Sequence, residues 1–225
     1  MRNKILRTPL VLIFLFLISC DNNNNGFDVP YYQFNEEDTN LIINYNYGQD
    51  QIITYQNQSG EQLNFKVILN ETKKLGNYFG TFSGGTSLIN YYDSKIIRLE
   101  ILENNDYEYY KGLTNYIFSK NSNNFINGIN IPIWNASSSA FIDEIQNPIN
   151  ISMTDFNSQA TTKMIVNNHI FENVIIIESG SDNEYLNSSY GIIPKKVNTV
   201  FYDYGFGLIR FDDIDGNQWE LIYPE

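Results

Sequence analysis

Apolar and polar residues alternate along most of this chain with a period of two. From Gln62 to Leu69, the residues Leu63, Phe65, Val67 and Leu69 fall on one side, and Gln62, Asn64, Lys66 and Ile68 on the other. That is the pattern of a strand with one buried face. Gln51–Gln56 predicts a strand before it, with Ser59-Gly60 in the intervening turn. Lys95–Glu103 alternates in the same way, with Ile97, Leu99 and Ile101 on one face, and Asn115–Ser119 and Phe125–Trp134 are weaker strand segments. Thr162–Glu178 reads as a hairpin centred on Asn167-Asn168, because asparagine tolerates the positive φ of a tight turn.

Val197–Tyr223 predicts two or three further strands. Gly205 and Gly207 mark a kink or bulge there, Asp215-Gly216 is a hairpin turn, and Trp219, Leu221 and Tyr223 alternate with Gln218, Glu220 and Ile222. This last segment is expected to close the sheet, with Trp219 and Leu221 in the core. Helix is scarce. Asn35 before Glu36, Glu37 and Asp38 can cap a short helix over 36–41, and Ser139 can cap another ending near Gln146, before Pro148. The reading is one all-β domain over residues 34–225, an antiparallel sheet with one or two short helices.

The first twenty residues break the alternation. Arg2, Lys4 and Arg7 precede the apolar run Leu10–Ile18, then the small Ser19 and Cys20. Nine apolar residues are too few for a spanning helix, which needs ~20, and the order of regions is that of a secretory signal peptide over residues 1–19. Asp21–Gly26 (DNNNNG) has nothing to bury, so residues 20–33 read as a tether.

Composition narrows the classes of function. Loss of residues 1–19 removes three basic residues and no acids, leaving 206 residues with 11 Lys and Arg against 26 Asp and Glu, a net charge of −15. So acidic a chain repels phosphate backbones, which argues against nucleic acid as a partner. It argues equally against a polybasic membrane contact. Cys20 is the sole cysteine, so neither a disulfide framework nor a cysteine metal site is expected.

Leu17-Ile18-Ser19-Cys20 resembles the lipobox of bacterial lipoproteins. The resemblance implies that the Cys20 thiol is alkylated with diacylglycerol, that the signal is cut just before it, and that the new amine is acylated, by palmitate or a similar chain, so that Cys20 becomes the mature N-terminus. Two or more acyl chains anchor a protein stably where one does not. Three further segments, Ile53–Val67, Ile165–Ile177 and Val200–Ile222, resemble small lipoproteins of Bacteroidetes-type bacteria. That resemblance implies a strongly curved antiparallel sheet, a half-open barrel, related in shape to lipoprotein carriers. It implies no catalytic residues.

Candidate chemistry is thin. His169, the one histidine, would have to serve any histidine metal site or catalytic triad, and it sits beside a turn. Asp212–Asn217 hints at a calcium loop, but with Gly216 at position 6 the required acidic positions hold Phe211 and Ile222. Ser83-Gly84-Gly85-Thr86 lacks the lysine of a phosphate loop. Carboxylate pairs for glycoside hydrolysis can be drawn from Asp93, Asp143, Glu144, Asp203 and Asp213. No metal or cofactor is expected.

Adjacent aromatics carry more weight, because strand neighbours point to opposite faces and one ring of each pair turns outward. Tyr91, Tyr92, Tyr109, Tyr110, Tyr202 and Tyr204 are the candidate ligand-binding rings. The functional expectation is a non-enzymatic binding or scaffolding protein. It is held in the bacterial cell envelope through acylated Cys20, at the outer membrane or cell surface, with a glycan, lipid or protein ligand. The alternatives are a lipid or lipoprotein carrier with a concave apolar face, and a carboxylate-pair glycoside hydrolase.

Overall fold

A computed structural model describes residues 29–80, 84–103, 113–121, 124–130, 149–152, 159–178 and 197–224, with backbone alone for 121, 124–130 and 149–152. The chain divides into two units, Met1–Pro30 and Tyr31–Glu225, and the fold is that of the second. Strand β1 (Tyr31–Tyr32) and helix α1 (Glu36–Thr39) come first. The strands β2 (Ile52–Gln56), β3 (Gln62–Gly80), β4 (Thr86–Ile101), β5 (Leu113–Asn121), β6 (Asn124–Asn130) and β7 (Ile149–Ser152) follow. The chain ends with β8 (Thr162–Val166), β9 (His169–Glu178), β10 (Val197–Asp203), β11 (Gly207–Asp213) and β12 (Gln218–Ile222).

These strands make one sheet in the order β7-β6-β5-β4-β3-β2-β12-β11-β10-β9-β8, with β1 added in parallel beside β4. Its ends, β7 and β8, do not pair with each other among the described residues. The protein is therefore the expected all-β, single-domain, curved open sheet. The C-terminal half curls until the β8–β9 turn reaches β12. There the Asn167 side chain, at the β8–β9 turn, donates to the Leu221 carbonyl of β12 at 2.9 Å. Asn167 and Asn168 adopt φ of 44° and 68°, the left-handed geometry the turn requires.

Three expectations are corrected. β12 does not close the sheet; it lies inside it, between β2 and β11, joining the two halves. Gly205 and Gly207 do not bend a continuous strand. The chain reverses at Tyr204–Phe206, between Asp203 and its cross-strand partner Gly207. Gly207 takes φ +106°, and a Cβ there would come within 2.9 Å of Ile43 Cδ1. Finally, the second unit starts at Tyr31 instead of residue 34, and Tyr31 and Tyr32 pair with Tyr91 and Tyr92. The Ser139–Gln146 helix falls outside the described residues.

The alternating residues identify the inner face correctly. Ile53, Tyr55, Leu63, Phe65, Val67, Ile97, Leu99, Ile101, Trp219 and Leu221 are all buried. At full burial each large apolar side chain contributes ~1.5–3 kcal/mol. The inner face is then covered by the segment between β1 and β2. Asn35 caps α1 through a reciprocal box with Asp38. Asp38 is completely buried and holds the Lys120 ammonium of β5 at 2.8 and 2.7 Å. Lys95 of β4, its ammonium lowered from its ordinary range by burial, donates to the Ile43 carbonyl at 2.7 Å. The segment then reaches the β10–β11 turn, where the Asn44 and Tyr45 amides donate to the Gly205 carbonyl at 3.0 and 2.9 Å. Leu41, Ile42, Ile43 and Tyr47 fill the space beneath it.

Candidate functional site

The end of this covering segment forms one wall of an open cleft of about 250 Å³. The opposite wall is β9, from His169 to Asn173, and the floor is the β10–β11 turn with Asp203, Gly205 and Phe206. Tyr223, just past β12, completes it. The β8–β9 turn is what brings His169 here. With Asn167 fastened to β12, the imidazole lies flat on the Tyr223 ring, centroids 3.6 Å apart and planes 6° from parallel. Tyr45 packs on Phe206 at 4.6 Å and edge-on to Tyr223 at 6.0 Å. Tyr45, His169 and Tyr223 remain partly exposed, while Asn44, Glu172 and Asn173 bring exposed polar groups to the rim.

Asp203 sets the floor. Its Oδ1 accepts from the Gly205 and Phe206 amides at 2.8 and 2.9 Å, and its Oδ2 accepts from the Asn173 amide at 3.4 Å. One carboxylate thus ties the β10–β11 turn to β9. A side chain at Gly205 would begin 3.1 Å from Asp203 Oδ1 and 3.2 Å from Asn44 Oδ1, so glycine keeps the cleft open. Burial, followed by the nearby Tyr45 and Asp203, raises the Tyr223 hydroxyl above its ordinary range. It stays a neutral donor at physiological pH.

The carboxylates considered for catalysis have other partners. Asp93 accepts from the Tyr31 hydroxyl and the Phe34 amide. Asp213 organises the β11–β12 turn, accepting from the Asp215 and Asn217 amides and from the Trp219 indole. With Asp203, each of the three described candidates is an acceptor for the protein's own donors. Asp143 and Glu144 lie outside the described residues, as does Cys20. Within the cleft Glu172 pairs with Lys163 at 2.8 Å.

The candidate rings separate into three groups. Tyr91 and Tyr92 are half-buried on β4, where the Lys74 ammonium lies 4.0 Å from the Tyr91 ring centroid and 4.1 Å from that of Tyr31. Tyr109 and Tyr110 lie outside the described residues. Tyr202 and Tyr204, expected to face outward, are 0% and 8% exposed. Tyr202 is on the inner face of β10, and Tyr204 is tucked into the turn, where burial pushes its hydroxyl up to about 12. Sequence reasoning missed Tyr45, Phe206 and Tyr223 as one cluster. The signal for Tyr45 was Asn44-Tyr45-Asn46-Tyr47, an alternation outside any predicted strand.

The fold and site define an open, curved all-β sheet with an aromatic cleft at the curled end. No protein-family model, curated protein or solved structure matches the chain.

Proposed function

We propose that this is a lipid-anchored protein of the bacterial cell envelope that binds a ligand in the His169–Tyr223 cleft without transforming it. The order of basic, apolar and small residues before Cys20 supports the anchor. The observation that carries the binding reading is the pairing of partly exposed rings with fully engaged acids. Tyr45, His169 and Tyr223 offer ring faces and edges, Asn44 and Asn173 offer amides, and Asp203 is committed to three backbone donors. Aromatic faces beside amides suit a sugar ring, apolar on its C–H faces and polar at its edge. The ligand class is therefore a glycan. The carrier alternative is less favoured because Ile43, Tyr47, Tyr116 and Tyr202 fill the inner face beneath the covering segment.

The test is calorimetric titration of the full chain with oligosaccharides of glucose and of N-acetylglucosamine, followed by chromatography of the products. Binding that Tyr45→Ala and Tyr223→Ala weaken, with the sugar recovered intact, is expected. Cleavage of the sugar, or equal binding by the variants, would refute the proposal.

A further inference from the structure

Strands β3 and β4 run beyond the rest of the sheet. β2 accompanies β3 only as far as Lys66, and β5 leaves β4 at Ser94. Past Lys73 and Asp93 the two strands form a two-stranded arm, joined among the described residues only by β1 at Tyr91 and Tyr92. Eight residues from Lys73 to Gly80 extend it by roughly 25 Å. Near its end Tyr78 and Phe79 are 60% and 63% exposed, and Ile89 is 46% exposed.

Three features of this arm point the same way. First, residues 75–92 contain no Asp, Glu, Lys, Arg or His, although 18% of the chain is charged and its balance is strongly acidic. The tip is therefore spared the negative charge that an anionic headgroup layer would repel. Second, the charges at its base balance, Lys73 pairing with Glu71 at 2.5 Å and Lys74 standing opposite Asp93 and over the Tyr31 and Tyr91 rings, so lysines flank the aromatic tip with no net negative charge behind it. This is the arrangement of segments seated at a membrane interface, where aromatic rings lie at headgroup level and lysines flank them. Third, β1 runs parallel to β4, with Tyr31 opposite Tyr91 and Tyr32 opposite Tyr92. Tyr31 is thus on the tip side of Tyr32, and the domain begins on the tip side of its own arm. Gly76 pairs with Tyr91, so Phe79 is three residues, about 10 Å, past that point. The eleven residues from Cys20 to Tyr31 can span up to ~40 Å, which leaves the tip within reach of the layer that would hold the acyl chains.

We infer that the Tyr78–Phe79 tip is a second membrane contact, resting on lipid headgroups and orienting the domain so that the arm faces the bilayer. The orientation rests on the anchor reading, whereas the affinity of the tip for lipid does not. One acyl attachment point fixes distance but not orientation; a second contact on a stiff ribbon fixes both.

The experiment uses the mature chain, residues 20–225, carrying Cys20→Ser, so that neither an acyl chain nor the apolar Leu10–Ile18 run contributes, with vesicles of phosphatidylethanolamine and phosphatidylglycerol. Co-sedimentation should show partitioning that Tyr78→Ser with Phe79→Ser lowers by ~tenfold or more. The unfolding midpoint should not move, because both side chains are mostly exposed. In a separate variant, Phe79→Trp emission should shift to the blue on adding vesicles. Equal partitioning of the two proteins, or unchanged emission, would overturn the inference. So would concentration-dependent dimers lost in the double variant without vesicle binding, since the tip would then pair with a second copy. A lack of lipid on wild-type Cys20 would overturn the anchor instead, and the vesicle assay would still report on the tip.

Discussion

Replacing Lys120 by Met tests how the covering segment is held to the sheet. Asp38 has no exposed side-chain surface, the Lys120 side chain is 11% exposed, and the ammonium lies 2.7–2.8 Å from both carboxylate oxygens. Among the described residues, the Asn35 amide, at 2.9 Å, is the other donor to this carboxylate. Methionine keeps the length and apolar stem but removes the charge. A buried carboxylate then keeps one amide among the described residues, and breaking a buried pair from one side costs ~3–5 kcal/mol. That is a large share of the roughly 5–15 kcal/mol that holds a domain of this kind together. Adding Asp38→Asn removes the stranded charge while retaining an oxygen for the Asn35 amide, so the double variant should recover at least ~1 kcal/mol relative to Lys120→Met. Urea denaturation followed by tryptophan fluorescence measures both. Lys120→Met within ~0.5 kcal/mol of wild type would mean that the pair does not fasten α1 to β5.

Trp219→Ala should cost ~3–5 kcal/mol in urea melts followed by circular dichroism, because the indole is completely buried, stacks on Phe211 and donates to Asp213; wild-type stability would remove Trp219 from the core. Gly207→Ala should cost on the order of 1–3 kcal/mol, given φ +106° and the Ile43 contact, and a neutral result would contradict the turn geometry. Alkali should unfold the protein through its buried phenols. Burial raises Tyr47 and Tyr55 well above 10.0, raises Tyr116 as well, and pushes Tyr204 up to about 12. Below pH 10 these groups are neutral in both states. Above it the unfolded chain ionises first, so stability is full below pH 10 and falls through pH 12 and beyond. Tyrosinate absorbance that rises near pH 10 for every tyrosine, with no loss of structure, would contradict this.

The strands were legible where a strand faces a core, because burial selects side chains with a period of two. Leu63, Phe65 and Val67 reveal β3 only to the point where the core ends. Beyond Leu69 the same strand continues as paired backbone in the arm, where nothing selects alternation and the pattern disappears. Lys120 follows Thr114, Tyr116 and Phe118 on the inner face of β5, so the parity that places them inward places the lysine there too; its charge concealed it. The cleft was less legible. Its rings come from the covering segment, the β9 start, the β10–β11 turn and the residue after β12, and the curl of the sheet unites them. Tyr202 was misplaced because Phe201 is the ring of that adjacent pair that turns away from the core, and Tyr204 because the chain reverses there.

The account rests on Cys20 as an attachment point, and mass spectrometry of the mature protein, with metabolic fatty-acid labelling, tests this most directly. Wild type should begin at Cys20, carry acyl chains and sediment with membranes, and Cys20→Ser should lose the label. A wild-type protein that begins elsewhere, or carries no lipid, would contradict the account.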